Sequence, residues 1–254
     1  RSTQYGTMKL LKKVEQARKW FSARKRAEKR IVFVPTMGAL HAGHASLLRK
    51  ARALAGQKGV VAASIFVNPA QFGPREDFRR YPRPLKRDLA LCRRSGVDAV
   101  FRPDANSMYA IDSSAWVDES SLSRGLCGRS RPGHFRGVCT VVAKLFAIIA
   151  PDIAVFGQKD YQQALIIQRL VRDLRLPVRV HVAPTVREAD GLAMSSRNAY
   201  LSTRERAQAG MLYRPILDGI TAAIDRWDRY TDHQIKFNAL YEPVKGYDGR
   251  ISAH

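Results

Sequence analysis

The chain has 254 residues, 45% of them hydrophobic, which is enough to bury one large core or one large and one small core. It carries 44 lysines and arginines against 22 acidic residues, a formal net charge of +22, so its substrates or partners are expected to be anionic. The three cysteines, Cys92, Cys127 and Cys139, share no metal-binding spacing, which argues against a zinc module or a disulfide framework and for a reducing compartment.

The first predicted unit is a strand, Ile31–Val34, followed by a loop and by a helix that begins near His44. Four consecutive apolar residues suit a strand that is buried on both faces. In the loop from Pro35 to His44, Gly38 and Gly43 let the backbone approach a ligand, and the helix N-terminus adds free amides and a positive dipole end. The segment therefore predicts an anion-binding site.

Two histidines, His41 and His44, lie in this loop as His-x-Gly-His. Imidazole groups donate hydrogen bonds and can carry positive charge, so they are suited to a phosphate-centred transition state that gains negative charge. The alternative is a turn in which two polar side chains only cap a helix. The preceding strand and the apolar Leu47 and Leu48 that follow favour nucleotide binding.

A second buried strand is predicted at Ser64–Val67, ending in a turn at Asn68-Pro69. Gln71 follows just beyond the carboxyl end of this strand. Ligands bind at that edge of open α/β sheets. We therefore expect Gln71 to contact a ligand.

Further helices and strands alternate along the chain. We expect a helix at Leu85–Cys92, a strand within Gly96–Phe101 and an apolar helix at Val141–Ile149, the last preceded by the segment Arg131–Val138. This alternation continues to Val180 and is typical of a doubly wound parallel sheet.

The segment Pro151–Gln163 again reads as a strand, a glycine turn at Gly157 and a helix with a polar first turn. Lys159 supplies a point charge for phosphate, and Asp160 and the glutamines supply directional hydrogen bonds. The alternative is that Lys159 and Asp160 form an exposed ion pair of little energetic consequence.

The last motif, Pro184–Asn198, contains Met194-Ser195-Ser196-Arg197, which alone could be a solvated turn. Taken in order, the motifs resemble those of the pantothenate synthetase (pantoate–β-alanine ligase) family. Within that resemblance, Pro35–His44 is similar to the HIGH-type signature of the nucleotidyltransferase superfamily, and Pro184–Asn198 is similar to its mobile KMSKS loop. The resemblance covers about residues 8 to 203.

The resemblance implies an α/β fold with a Rossmann-like, doubly wound parallel sheet. It places a nucleotide- and pantoate-binding domain at residues 1–184 and a small C-terminal lid domain at residues 185–254. A helix from Tyr213 to Trp227 fits the family, but Gln234–His254 does not carry the family's closing strands, so we expect a shortened lid. A shortened lid keeps open the alternative of an inactive or weakened homologue.

The resemblance also implies a reaction. Members of the family use ATP and Mg²⁺ to activate pantoate as pantoyl adenylate with release of pyrophosphate. β-Alanine then attacks the acyl carbon, which gives AMP and pantothenate, a precursor of coenzyme A. The chain is thus expected to be an AMP-forming ligase, although its sequence does not indicate the Mg²⁺ ligands.

Site residues carry over from the family position by position. Catalytic roles are implied for His44, as proton donor, and for His41, Lys159, Ser195, Ser196 and Arg197. ATP contacts are implied for Met37, Gly38, Ala39, Leu40, His41, Ala42, Gly43, His44, Gly157, Gln158, Lys159, Asp160, Val186, Met194, Ser195, Ser196 and Arg197. Gln71 and Gln163 match the pantoate contacts, and Gln71 is shared with β-alanine. Ala42 departs from the family, in which an acidic residue is usual there.

Two other functions are open. The chain could be another nucleotidyltransferase on the same fold, or a basic protein that keeps the fold and binds nucleic acid. Basic runs such as Lys12-Lys13 and Arg24–Arg26 are scattered over several predicted helices and are not interleaved with aromatic residues. This pattern favours a solvated surface that steers anionic substrates, with at most nonspecific, salt-sensitive nucleic-acid binding.

Location and assembly complete the expectations. No apolar signal-peptide core is present near the N-terminus, where Met8 is a candidate natural start, and the longest apolar run is broken by Lys144 and is too short to span a bilayer. A cytoplasmic protein without membrane contact is therefore expected. The family resemblance implies a homodimer that acts on small molecules.

Overall fold

The computed structural model describes residues 8–213. The described residues divide into two compact units, one that includes residues 8–188 and 193–201, the other residues 189–192 and 202–213. The division into domains at residue 184, made from the sequence, stays a prediction. The expectations for the helix up to Trp227 and for the shortened lid fall outside the described residues.

The first unit is built on one parallel sheet. Its six strands follow the spatial order β1-β4-β3-β2-β5-β6, and every neighbouring pair is parallel. The strands are β1 (Lys9–Leu11), β2 (Ile31–Val34), β3 (Val60–Ser64), β4 (Ala99–Phe101), β5 (Ile153–Gly157) and β6 (Arg179–Ala183). The predicted Rossmann-like parallel sheet is therefore confirmed.

Helices connect the strands and cover both faces of the sheet. Those in the described part of the first unit are α1 (Val14–Arg26), α2 (Ala42–Ala55), α3 (Leu85–Arg94), α4 (Ala105–Met108), α5 (Leu126–Ser130), α6 (His134–Ile149) and α7 (Tyr161–Asp173). Short 3-10 turns lie at Pro69–Gln71, Asp77–Arg79, Leu122–Arg124, Gln158–Asp160 and Ser196–Tyr200.

Strand β2 lies at the centre of the sheet, and all four of its side chains are fully buried. Ile31 and Phe33 pack into a hydrophobic cluster with residues of α1, α6 and α7. Val32 and Val34 point to the opposite face, where they pack with residues of α2 and α3. This two-sided burial explains why the strand is continuously apolar.

The second strand begins and ends earlier than its sequence pattern predicts. Strand β3 is Val60–Ser64, and the predicted strand residues after Ser64 form a connection instead. In that connection the amide of Ile65 bonds to the carbonyl of Phe101, and the amide of Phe66 bonds to the carbonyl of Thr36. The apolar residues there are buried between two neighbouring strand ends, which produces the same pattern as a strand.

Helix α6 also differs from expectation, since it begins at His134 and not at Val141. The residues before Val141 are less uniformly apolar, but they belong to the same helix. Gly137 lies within this first part, and a Cβ atom there would come within 2.1 Å of the Ala70 carbonyl oxygen. The glycine is thus a site of close packing and not a break in the helix.

The order of the strands creates a topological switch point beside β2. The chain proceeds from β2 to β3 and β4 on one side, then returns to β5 on the other side. Strands β2 and β5 are paired in register, with Val32 opposite Ile153 and Phe33 opposite Ala154. The loops that leave their carboxyl ends run in opposite directions and open a crevice, which is where ligands bind in this class of fold.

The described part of the second unit contains helix α8 (Thr203–Ala209). Ser202 and Glu205 form a reciprocal capping box at its N-terminus. Arg206 on this helix forms an ion pair with Asp190 of the same unit.

Within residues 8–213, no helix combines the length and the apolar character that crossing a membrane requires.

Candidate active site

A cleft of about 350 Å³ lies at the switch point of the first unit. Its size is within the range of small-molecule sites. The loops after β2, β3, β5 and β6 line it, together with one face of α6. The predicted site residues that line it are Met37, His41, Gly43, His44, Gln71, Gly157, Lys159, Asp160, Gln163, Val186, Met194, Ser195, Ser196 and Arg197.

Five residues predicted to contact the nucleotide are not among the lining residues of this cleft, although each is close in sequence to residues that line it. These residues are Gly38, Ala39, Leu40, Ala42 and Gln158. Gly38 instead lines a second cavity of about 220 Å³. Their predicted contacts with ATP stay predictions.

His41, the N-cap of α2, and His44, in the first turn of this helix, form a reciprocal cap. The Nδ1 atom of His41 accepts a hydrogen bond of 3.1 Å from the Gly43 amide, and the Nδ1 atom of His44 accepts one of 3.3 Å from the His41 amide. Because each Nδ1 is an acceptor, each neutral ring carries its hydrogen on Nε2. Each histidine can therefore cap the helix through Nδ1 and donate a hydrogen bond to a ligand through Nε2, so the two functions considered from the sequence are compatible.

Both imidazoles are neutral at physiological pH in the absence of ligand. Burial, followed by the charges of His41 and Lys159, lowers the pKa of His44 from 6.5 to about 3. Burial and Lys159 also lower the pKa of His41. The centroids of the two rings lie 4.1 Å apart. If one ring became protonated, its charge would therefore disfavour protonation of the other.

Several amides of the loop after β2 are occupied by groups of the protein itself. The Gly38 amide bonds to the Thr36 hydroxyl at 3.2 Å. The amides of Ala39 and Leu40 bond to the carboxylate of Asp88 at 2.9 and 2.8 Å. These three amides are therefore bonded within the protein, whereas the free amides expected from the sequence are those of the helix N-terminus.

Lys159 and Asp160 also line the cleft and lie in the 3-10 turn after β5. Their side chains form an ion pair of 2.7 Å, with 35% of the lysine and 58% of the aspartate side chain exposed. A pair this exposed contributes little to stability. Both groups can therefore exchange this contact for a ligand at small cost.

The loop Met194–Arg197 is tied to two other parts of the first unit. The Ser196 hydroxyl donates to the Ala39 carbonyl at 3.0 Å. Arg197 binds the carboxylate of Asp77 through Nε at 2.9 Å and Nη2 at 2.8 Å. This bidentate contact lowers the pKa of Asp77 and raises that of Arg197.

Both the side chain and the backbone carbonyl of Gln71 form hydrogen bonds within the protein. Its side-chain amide donates to the sulfur of Met37 at 3.1 Å and accepts from Asn68 at 3.2 Å. Its carbonyl accepts from His134 Nδ1 at 2.8 Å. Since a carbonyl cannot donate, His134 carries its hydrogen on Nδ1, and its Nε2 accepts from Arg131 at 3.0 Å.

Sequence reasoning did not assign a role to several residues around this site. Asn68, Tyr81, Arg131 and His134 line the cleft, and Asp77 and Asp88 hold its loops. Asn68 and the Arg131–Val138 segment were recognised only as parts of motifs. The two aspartates lie in separate polar stretches, and no local signal distinguishes them from surface carboxylates.

Metal ligands are not evident from the protein side chains. Among residues 8–213, no three His, Cys, Asp or Glu side chains are grouped so that they could hold a metal ion. Cys92 and Cys139 are buried, and Cys127 is exposed.

Comparisons with known proteins agree with this geometry. A family model described as pantoate-beta-alanine ligase matches residues 9–243. The pantothenate synthetase of Thermotoga neapolitana is 54% identical over an alignment of 263 positions, gaps included. The alignment covers 96% of this chain and 93% of that protein.

Solved structures agree as well. Pantothenate synthetase from Thermus thermophilus is similar with a TM-score of 0.77 and 49% identity, over 83% of this chain and 74% of that one. Pantoate-beta-alanine ligase from Francisella tularensis, complexed with beta-gamma ATP and beta-alanine, has a TM-score of 0.75 and 37% identity, over 82% of this chain and 78% of that one. With this sheet, this cleft and a family match over most of its length, the chain belongs to the pantoate–β-alanine ligase family.

Proposed function

We propose that this chain catalyses the ATP-dependent condensation of pantoate with β-alanine to pantothenate, AMP and pyrophosphate. Family membership carries the proposal, and the convergence of His41, His44, Lys159 and the loop Met194–Arg197 on one cleft supports it. The Francisella tularensis relative, solved with beta-gamma ATP and beta-alanine, supports the assignment of these two ligands.

In the proposed first half-reaction, a carboxylate oxygen of pantoate attacks the α-phosphorus of ATP, and the bond from this phosphorus to pyrophosphate breaks. Two anions must approach each other, so positioning and positive charge dominate the step. Lys159 supplies a cation. The Nε2–H groups of His41 and His44 supply neutral donors to phosphate oxygens as their charge grows.

The lowered pKa of His44 gives this residue a particular role in the proposal. With a pKa of about 3, it acts in the free enzyme as a hydrogen-bond donor and not as an imidazolium. A bound polyphosphate would favour the charged form of the ring and raise this pKa. Proton donation by His44, implied by the family resemblance, would therefore depend on bound ATP.

In the proposed second half-reaction, the amino group of β-alanine attacks the acyl carbon of pantoyl adenylate. The bond from this carbon to the AMP oxygen breaks, AMP leaves, and the amine loses a proton as the amide forms. Gln71 and Gln163 would hold pantoate through hydrogen bonds. Neutral amides suit this role because a cation would stabilise the ground-state carboxylate and slow its attack.

Mg²⁺ fits the site only as a companion of the nucleotide. The described side chains do not form a cluster that could enclose a metal ion. Mg²⁺ commonly keeps its waters and binds substrate phosphates with one or two carboxylates, and there it neutralises phosphate charge. Asp160, beside Lys159 in the cleft, is the carboxylate that could serve it.

The finer expectations on location and assembly belong to the same proposal. We propose a cytoplasmic homodimer, as the family resemblance implies. Nucleic-acid binding has no supporting contact beyond the net charge of +22, so we assign that charge to the attraction of anionic substrates.

The test is pyrophosphate release from ATP and Mg²⁺, measured with and without pantoate and with and without β-alanine. Release that requires pantoate and is accelerated by β-alanine is expected. Replacement of pantoate by other hydroxy acids serves as the control. If ATP binds and pantoate causes no release, this chain does not carry out the proposed reaction.

A further inference from the structure

Asp88 is a buried carboxylate outside the predicted site residues. It lies in the first turns of α3, and only 1% of the residue is exposed. It does not line the nucleotide cleft, although it borders the second cavity behind the loop after β2. Burying a carboxylate is costly unless its oxygens are hydrogen-bonded.

Both oxygens of Asp88 are bonded to the loop that carries the two histidines. Oδ2 accepts from the Ala39 amide at 2.9 Å, and Oδ1 accepts from the Leu40 amide at 2.8 Å. Burial raises the pKa of Asp88, and these two amides are the strongest opposing influence. Each oxygen of the buried carboxylate therefore has one amide of the loop as its hydrogen-bond donor, and these two amides have the carboxylate as their acceptor.

This part of the loop has a backbone conformation that needs support. Gly38 has a φ of +90° and Ala39 a φ of +50°, so two successive residues are left-handed. For alanine this conformation costs of the order of 1 kcal/mol or more and persists only when the surroundings stabilise it. A Cβ atom at Gly38 would lie 3.1 Å from Oδ2 of Asp88, so the carboxylate packs directly against the turn.

The peptide unit between Ala39 and Leu40 connects Asp88 with the other side of the cleft. Its N–H donates to Asp88, and its C=O accepts from the Ser196 hydroxyl at 3.0 Å. The two bonds lie on opposite sides of one planar group. The orientation of this peptide plane thus also sets the position of the Ala39 carbonyl oxygen, to which Ser196 of the loop Met194–Arg197 is bonded.

We infer that Asp88 is a positioning residue for adenylate formation: its carboxylate orients the Gly38–Leu40 turn, and through it His41, His44 and Ser196. Asp88 touches no substrate in this role. The inference rests on the proposed function, because it assigns these side chains to the nucleotide.

Asp88→Asn is the primary variant. It keeps the shape and one acceptor oxygen, but its NH₂ group faces a backbone N–H, so one charge-assisted bond is lost. We expect kcat/KM for ATP to fall about ten- to hundredfold, the effect of one such bond. The KM for pantoate should stay the same, since Gln71 and Gln163 follow other strands.

Asp98→Asn is the matched control. The Asp98 carboxylate also accepts a backbone amide bond, from Val61 at 2.7 Å, and forms an ion pair with Arg52. It does not line either cavity. Asp88→Ser is the second variant, because a hydroxyl accepts from one amide without opposing the other and removes the buried charge.

The kinetics are compared with the ¹⁵N signals of the imidazole rings, which report hydrogen bonding at Nδ1 without any substrate. Asp88→Asn and Asp88→Ser should shift the signals of His41 and His44 and lower kcat/KM for ATP, while Asp98→Asn should do neither. Unchanged imidazole signals, or an ATP effect equal to that of Asp98→Asn after correction for folded protein, would overturn the inference.

The proposed function and this inference fail separately. If the wild-type protein releases no pyrophosphate with pantoate, the proposed reaction is wrong, and the imidazole signals still decide whether Asp88 positions the loop.

Discussion

The histidine pair combines two tasks in the same side chains. His41 and His44 use Nδ1 to satisfy amides at the N-terminus of α2, which leaves Nε2–H for a ligand. Serine or aspartate usually performs such capping. A histidine cap has the additional consequence that the tautomer of each ring is set before any substrate arrives.

The lowered pKa of His44 makes stability depend on pH. The folded-state pKa of about 3 lies below the ordinary value of 6.5. Between these values the unfolded chain binds more protons, so stability is complete above about pH 6.5 and decreases as the pH falls. His44→Gln should remove the contribution of His44 to the decrease in the free energy of unfolding at low pH. This contribution is on the order of 2 kcal/mol at about pH 4.5.

Urea unfolding across this pH range measures the difference. His181→Gln is the comparison: burial also lowers the pKa of His181, so this variant should likewise lose part of the pH dependence although His181 lies outside the cleft. The same pH dependence in His44→Gln and in the wild type would contradict a neutral, buried His44.

Arg197 is oriented by Asp77 through two parallel hydrogen bonds. The contact uses Nε and Nη2, so Nη1 is left for a phosphate oxygen. Asp77→Asn should raise the KM for ATP about fivefold and change stability by less than about 1 kcal/mol, since the pair is partly exposed. ATP titrations of the steady-state rate test this, with Asp173→Asn, from the exposed pair with Arg172, as control. An unchanged KM would show that Asp77 does not prepare Arg197 for the nucleotide.

At the scale of secondary-structure elements, the packing of α6 on the turn Pro69–Gln71 positions one side of the cleft. A Cβ at Gly137 would lie 2.1 Å from the Ala70 carbonyl oxygen and 2.7 Å from the Gln71 Cα. The Gly137 carbonyl in turn accepts from Asn68 at 3.1 Å. The helix and the turn therefore approach as closely as their backbones allow.

Gly137→Ala should disturb both stability and pantoate binding. Overpacking costs about 1–3 kcal/mol, and the displaced turn carries Gln71. We expect a higher KM for pantoate, with a smaller change in the KM for ATP. Gly125→Ala is the control, because a Cβ there meets no atom within 4 Å. A wild-type KM for pantoate in Gly137→Ala would mean that the turn does not need this close contact.

Strand β1 and helix α1 were not predicted, and two of the predicted elements have other bounds. The strand predicted at Ser64–Val67 is a connection, because burial between strand ends produces the same apolar run as burial within a sheet. The beginning of α6 was missed because the residues before Val141 are less uniformly apolar, although they belong to the same helix. In both cases tertiary packing determines which secondary structure the local sequence pattern adopts.

At the scale of the whole molecule, the net charge of +22 acts on all anionic substrates at once. Long-range attraction increases encounter rates and is screened by salt, whereas chemistry within the cleft is screened much less. We expect kcat/KM for ATP to fall several-fold between about 0.02 M and about 0.3 M salt, with a smaller change in kcat. Steady-state kinetics over a series of NaCl concentrations measure both. Equal changes in kcat and kcat/KM would contradict steering.

The sequence by itself predicted the strand–loop–helix units and the parallel sheet, and all but five of the residues predicted for the site line the cleft. It could do so because each motif is local: a buried strand, a glycine turn and a polar helix start lie within about fifteen residues of one another. Parallel strands then bring the ends of such units to one edge of the sheet.

Only the tertiary structure decided how these groups are held and which of them are free. Asp88 and Ala39 are separated by 49 residues, Gly137 and Asn68 by 69, and Arg197 and Asp77 by 120. Contacts across such distances depend on the order of strands and on helix packing, which no local pattern encodes. Hydrogen bonding to Asp88 likewise occupies the amides of Ala39 and Leu40, because a buried amide bonds to whichever acceptor the fold brings to it.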